Sequence, residues 1–201
     1  MRISEKTIEL NFCAQYSPGV QTFWFGLTQE QEKRAGFDMY TRQGGRLLIL
    51  QFKASAHVLL SGERRFHAPH HQLTALQARL SGSRDIYYLL PSFGRTAELH
   101  ALGHAVVANM WWLNVADIPA VNPPTRRDGA LRKNGKHYFD LDGQSGDVTI
   151  WSNPVFVRAT RGIDAMEKSV SGPRLEFDGY EDFSAFARRI GRKAIALVIP
   201  A

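Results

Sequence analysis

The dipeptide Gly44-Gly45 constrains this chain more than any other stretch. It separates two runs of strand length, 37–42 and 46–54. A two-residue glycine loop between such runs closes a tight β-hairpin, because the turns that match strand twist need positive φ angles. Leu47-Leu48-Ile49-Leu50 is apolar on both faces, which predicts a central strand covered on both sides. Pairing outward from the glycines sets Asp38 opposite Gln51, with Cβ atoms about 5 Å apart. Lys53, two residues beyond Gln51, points to the same face. Three polar groups therefore converge on an otherwise apolar sheet, where burial is costly unless something binds them.

The flanking elements read less sharply. Residues 7–12 alternate as a short strand would, Ser17-Pro18-Gly19 is a turn, and 20–35 reads as helical with a restart at an N-capping Thr28. Gly36 ends that helix. After a loop over 61–68, residues 70–80 form an amphipathic helix with Leu73, Leu76 and Leu80 on one stripe. Residues 85–90 read as a buried strand stopped by Pro91. Farther along, 96–107 is expected to be helical and 122–134 a loop. Residues 137–141 and 147–151 make a second hairpin, 183–190 a helix and 194–199 a closing strand. The expectation is a single α/β domain over 1–201, with a core at about 20–92 and a C-terminal elaboration at about 93–201.

A divalent cation and a phosphate are what the polar trio fits best. Asp38 offers a hard carboxylate oxygen, the Gln51 amide a neutral one and the Phe52 backbone carbonyl a third, a set that suits magnesium with waters completing the shell. Lys53 would orient an attacking water or offset charge on the transition state. Glu32, near the end of the preceding helix, would add a second carboxylate, supported by Gln29 three residues earlier. Arg64 and Arg65 follow the catalytic strand and are the best-placed DNA contacts, with His70 at the mouth of the next helix for a phosphate.

Between about Gln29 and Pro91 the order Gln-x-x-Glu, Gly-Phe-Asp, Leu-Gln-Phe-Lys, helix, strand resembles the PD-(D/E)XK nuclease superfamily, in the Mrr-like variant where Gln replaces the second acid. The resemblance implies a restriction-endonuclease-like central mixed sheet flanked by helices, here with an extra C-terminal β-hairpin and helix. It implies Glu32 as the helix acid, Asp38 and Gln51 as metal ligands and Lys53 as the catalytic lysine. It further implies Mg²⁺- or Mn²⁺-dependent hydrolysis of DNA phosphodiesters and a role as an effector in defence. Such an effector would work beside a sensor, helicase or ATPase partner, or as a homo-oligomer. Two departures stand out: no strand is placed between the Glu32 helix and Asp38, and Gln51 leaves the site one negative charge short. The other readings are a non-catalytic module of the same fold that binds nucleic acid or a partner protein, and an RNA-directed or repair nuclease.

Composition agrees with a nucleic-acid partner. The net charge of +6 favours a polyanion, and a 44% apolar content over 201 residues suffices for a core. The single cysteine, Cys13, excludes an internal disulfide framework and points to a reducing compartment. With no signal peptide and no membrane span expected, the location is read as cytoplasmic.

Four other patterns are read plainly. His100 and His104 have zinc-helix spacing without the acid and are expected to be solvated or buried in the core. Asp140-Leu141-Asp142-Gly143 is a hairpin turn rather than a calcium loop. Trp111, Trp112 and Trp151 are expected in the core or at an interface, with base stacking as the alternative. The basic clusters Arg126-Arg127 with Arg132-Lys133, and Arg188-Arg189 with Arg192-Lys193, are expected on solvated faces.

Overall fold

Strands β2 (Met39–Gln43) and β3 (Arg46–Phe52) pair antiparallel from Gln43–Arg46 outward to Met39–Leu50, in the register that a two-residue connection requires. The computed structural model describes residues 1–16, 24–43, 46–55, 57–80, 84–124, 135–151, 155–162 and 195–197, so the Gly44-Gly45 loop itself lies outside the described residues. Ahead of this hairpin come α1 (Glu5–Tyr16), β1 (Trp24–Gly26) and α2 (Gln29–Ala35). After it follow β4 (His57–Val58), β5 (Arg64–Pro69), α3 (His70–Gln77), β6 (Arg84–Pro91), α4 (Thr96–Leu102) and β7 (Met110–Asn114). The chain continues through β8 (Lys136–Leu141), β9 (Asp147–Ile150), β10 (Val155–Arg158), β11 (Thr160–Arg161) and β12 (Ile195–Leu197).

These strands form two sheets. The larger is mixed, in the order β11-β7-β6-β3-β2-β1-β12, with β3 parallel to β6 through the α3 crossover and its other pairs antiparallel. The smaller runs β10-β9-β8-β5-β4, antiparallel throughout. Alternation along β3 decides what covers each face. Leu48, Leu50 and Phe52 pack with Ile8, Phe12, Cys13 and Tyr16 of α1. Ile49, on the opposite face, packs with Leu73 and Leu76 of α3 and with Phe66, Phe139, Leu141, Val148 and Ile150 from the inner face of the smaller sheet. The chain is thus a mixed α/β protein whose central sheet is covered on both sides. Among the described residues no helix is long and apolar enough to cross a membrane.

Several sequence expectations need correction. Residues 7–12 are not a strand but lie inside α1, where Ser4 caps the first turn by accepting from the Thr7 amide (3.1 Å). Trp24–Gly26 is a strand, not the start of a helix; the helix begins only after Thr28, whose capping box with Gln31 is formed, and ends at Gly36 with φ 79°. The expected loop over 61–68 contains most of β5, paired along its length with β8. The helix expected over 96–107 stops at Leu102. The hairpin 137–141/147–151 forms as β8 and β9, and β12 falls within the expected closing strand. The Ser17-Pro18-Gly19 turn, the helix over 183–190 and most of the loop over 122–134 lie outside the described residues.

Candidate functional site

Asp38 stands immediately before β2 and extends the ladder: its amide donates to the Leu50 carbonyl (3.2 Å), and its own carbonyl accepts from Leu27 (3.1 Å). The paired register itself ends at Met39–Leu50, and the Asp38 amide, bonded to Leu50, departs from it by one residue, yet the Asp38 and Gln51 side chains meet. Gln51 Nε2 donates to Asp38 Oδ2 (2.7 Å) and to the Phe52 carbonyl (3.0 Å), while the Phe52 amide also donates to Asp38 Oδ2 (2.7 Å). One amide nitrogen therefore occupies the point toward which a carboxylate and a backbone carbonyl both face. Burial pushes Asp38 up to about 7, even though Lys53, the Phe52 amide and Gln51 pull the other way. The site is short of positive charge.

Lys53 supplies part of it. Its amide donates to the Leu89 carbonyl (3.1 Å), carrying the parallel β3–β6 ladder one residue past the strand. Its side chain is buried, with Nζ 3.9 Å from Glu5 Oε1 and 5.9 Å from the centre of the Tyr88 ring. Burial lowers its proton affinity, Glu5 and Asp38 oppose that, and the charge of Lys136 adds to it. Glu5 is held in place by the Ala54 amide, which donates to Oε1 (3.2 Å). The N-terminal turns of α1 thus bring Glu5, Lys6 and the buried Glu9 toward the site, with Lys6 Nζ donating to Glu9 Oε1 (2.6 Å).

Glu32 belongs to this electrostatic neighbourhood rather than to the hydrogen-bonded core. Its pKa is raised by burial and by Glu9 and Glu5, against the pull of Lys6. Burial disfavours the Lys6 ammonium, but the Glu9 hydrogen bond and the charges of Glu9, Glu32 and Asp38 outweigh that and raise its pKa. Lys6 is thus held by Glu9 and feels the charges of Glu32 and Asp38. Reading 7–12 as a strand hid Glu5, Lys6 and Glu9. The signal that reveals them is Ser4 ahead of Glu5, followed by Ile8, Phe12, Cys13 and Tyr16 on one helical stripe.

Gln72 on α3 was also missed. Its Nε2 donates to Gln51 Oε1 (2.9 Å), whereas its own Oε1 is buried without a hydrogen-bond partner. Gly36 lets α2 approach α3 closely there: a Cβ on it would lie 3.2 Å from the Gln72 carbonyl. The amide pair bears directly on whether a cation fits. Oxygen and nitrogen of an amide exchange places by a half-turn. Turning Gln51 would set Oε1 beside Asp38 Oδ2 and the Phe52 carbonyl, three hard oxygens around one point. Turning Gln72 with it would let the buried Gln72 oxygen accept from Gln51. The donor set suits a hard divalent ion. In the orientation described, the nitrogen holds that place, and among the described residues no three His, Cys, Asp or Glu side chains cluster as a metal site.

The expected nucleic-acid contacts separate. Arg64 Nη2 lies 3.4 Å from Glu98 Oε2, and Arg65 forks onto buried Asp140, with Nε 2.7 Å from Oδ1. Both guanidinium groups are engaged within the fold. His70 starts α3, and its Nδ1 shares a hydrogen bond with Nε2 of the buried His137 (2.9 Å). Burial, reinforced by His70, lowers His137 to about 4, so this imidazole stays neutral.

Of the remaining patterns, His100 and His104 are both exposed, and Asp142 turns the β8–β9 hairpin by accepting from the Gln144 amide (2.8 Å). Cys13 is buried beside Met39 Sδ (3.4 Å), and burial pushes its thiol up to about 12. Trp111 and Trp112 are core residues, whereas Trp151 is exposed. The basic clusters around Arg126 and Arg188 lie outside the described residues. Comparison of the chain with protein-family models, curated proteins and solved structures gives no match.

Proposed function

We propose that this chain is a metal-dependent nuclease of the restriction-endonuclease-like kind, hydrolysing phosphodiester bonds in nucleic acid, DNA first. One observation carries the reading. Gln51 Nε2 sits within 2.7 and 3.0 Å of two oxygens, Asp38 Oδ2 and the Phe52 carbonyl, where a cation would be held, with the buried Lys53 two residues on. The parallel β3–β6 crossover, the antiparallel β2–β3 hairpin and helices on both faces support it.

Asp38, the Phe52 carbonyl and the turned Gln51 amide would hold Mg²⁺ or Mn²⁺, with Glu32 as an outer carboxylate. A bound ion supplies Lewis acidity at the phosphate and a more acidic water. Lys53 Nζ, desolvated and flanked by Glu5, donates to a non-bridging phosphate oxygen as charge builds in the transition state. Tyr88, under the ammonium, keeps water from that side. Gln72 keeps the Gln51 amide in one of two orientations and spares it a buried unsatisfied group.

The test is cleavage of single- and double-stranded DNA and of RNA with Mg²⁺ or Mn²⁺, comparing wild type with Asp38→Ala and Lys53→Ala. Cleavage that disappears in both variants supports the proposal, and cleavage unchanged in both sinks it. A second reading, a non-catalytic module that binds nucleic acid or a protein partner, is favoured by the direction of the Gln51 carbonyl, which faces Gln72 and not Asp38. It expects binding without cleavage and no change in melting temperature when Mg²⁺ is added.

A further inference from the structure

The outer face of the smaller sheet is neither apolar nor covered among the described residues. One row crosses all five strands by direct pairing: His57, Arg65, Asp140, Thr149, Phe156. In the next row His67 pairs with Tyr138, and Trp151 follows, its amide donating to the Tyr138 carbonyl (3.1 Å). Lys136, opposite Pro69, continues the face. Three aromatic rings stand out from it: Tyr138 is 42% exposed, Trp151 55% and Phe156 76%. Their strand neighbours Phe139, Ile150, Val155 and Val157 point inward to the core.

Tyr138 and Trp151 are braced, while Phe156 stands out at the edge. The Arg65 guanidinium lies 5.3 Å from the centre of the Tyr138 ring, and His67 meets the same ring edge to face at 4.9 Å. The Trp151 indole nitrogen donates to Asp140 Oδ2, the carboxylate that also anchors Arg65. Large rings partly in water, on adjacent strands about 4.8 Å apart, form a stacking surface of a kind that every base fits. Charge around them suits a phosphate backbone. Lys136 is exposed and has no ion pair among the described residues, and Arg158 is exposed, with its ion pair to the exposed Asp147 stretched to 4.0 Å and therefore weak. Duplex DNA offers no free base faces to such a surface, whereas a single strand does.

We propose that this face binds single-stranded nucleic acid, stacking bases on Tyr138, Trp151 and Phe156 with Lys136 and Arg158 along the phosphates. The face leads toward the candidate site, because β5 runs directly into α3, which carries Gln72. Capture is independent of hydrolysis. Only the further step, that the captured strand is the substrate, rests on the nuclease reading.

The test measures binding in EDTA, so that a failure of hydrolysis leaves it untouched. Fluorescence anisotropy compares labelled oligothymidylate and oligouridylate of about 12 nucleotides with a duplex of equal length. The single strands are expected to bind at least about tenfold tighter than the duplex, and the ratio between them tells DNA from RNA. Phe156→Ala and Tyr138→Ala should each weaken binding by roughly five- to 150-fold, while Tyr138→Phe, which keeps the ring, should stay within about twofold. Leu60→Ala, in the exposed turn between β4 and β5, should change nothing. Lys136→Ala should weaken binding and flatten its salt dependence by about one counterion. Circular dichroism and melting curves identify any variant that has lost its fold. Absence of binding, equal affinity for duplex, or ring variants that bind like wild type would each overturn the proposal. So would sedimentation showing a wild-type dimer that Phe156→Ala dissociates, since a second copy would then cover the face.

Discussion

Asp38 and Gln51 face each other across the β2–β3 hairpin, and Gln51 Nε2 donates to Asp38 Oδ2 over 2.7 Å. The amide here does the work of a counter-charge. Gln51→Glu would put two carboxylate oxygens at that separation, which they tolerate only by sharing a proton or a cation. The variant should therefore melt lower than wild type above about pH 7 without metal, by roughly 1–3 kcal/mol. Its melting temperature should rise more than that of wild type when Mg²⁺ is added. Equal Mg²⁺ responses in the two proteins would show that no cation enters between these side chains.

Asp38 itself makes stability depend on pH. Its pKa is raised from 3.8 to about 7, chiefly by burial, so the folded state prefers the protonated acid. The stability this contributes is complete below the unfolded value near 3.8 and is lost as pH rises through about 7. Asp38→Asn keeps the acceptor oxygen and removes the titration. Urea unfolding should find the variant more stable than wild type by roughly 2–4 kcal/mol at about pH 8, the gap closing toward about pH 4. A gap independent of pH would contradict the raised pKa. Metal binding, which needs the carboxylate, should tighten by up to about tenfold per pH unit below pH 7 and level off above it.

The hairpin was legible because its information is local. A glycine pair predicts a tight turn, the turn predicts the register found from Gln43–Arg46 to Met39–Leu50, and that register brings Asp38 and Gln51 to the same end of the hairpin without reference to the rest of the chain. The first helix was not. Ile8, Leu10 and Phe12 alternate as in a strand, yet Leu10 is 54% exposed while Ile8, Phe12, Cys13 and Tyr16 are buried at helical spacing. That misreading concealed Glu5 and Glu9, and with them the acidic side of the site. Trp24 and Phe25 are buried on opposite faces of β1, so no periodicity marks their strand. Strand β5 reads as polar loop because one of its faces carries Arg65 and His67, and it becomes a strand only through its distant partner β8.

Arg65 and Asp140 give an asymmetric prediction. Asp140 is fully buried as a side chain, whereas Arg65 is about a quarter exposed. Arg65→Ala strands a desolvated carboxylate and should cost roughly 2–4 kcal/mol. Asp140→Ala leaves a guanidinium that can turn toward water, so it should cost less, about 1–2 kcal/mol. Chemical denaturation of both single variants and of the double variant measures the coupling. A larger cost for Asp140→Ala than for Arg65→Ala would show that Asp140 matters through Trp151 rather than through Arg65.

The helical reading of residues 5–16 is open to a direct comparison of two substitutions. Phe12 is fully buried against Tyr16, Trp24, Phe52 and Trp112, with ring centres 5.2 to 6.0 Å apart. Phe12→Ala should open a cavity in that cluster and cost about 3–5 kcal/mol. Leu10, on the outer side of α1, should tolerate alanine within about 0.5 kcal/mol. A strand over 7–12 would bury both and make both costly. The loss at Phe12 also reaches the site, because α1 is what carries Glu5 to the Ala54 amide and to Lys53. A conservative Phe12→Leu, less costly to the fold, should still loosen α1. Its expected signature is a drop in cleavage larger than its drop in melting temperature accounts for, together with an altered pH profile as Lys53 loses the carboxylate that favours its charged form.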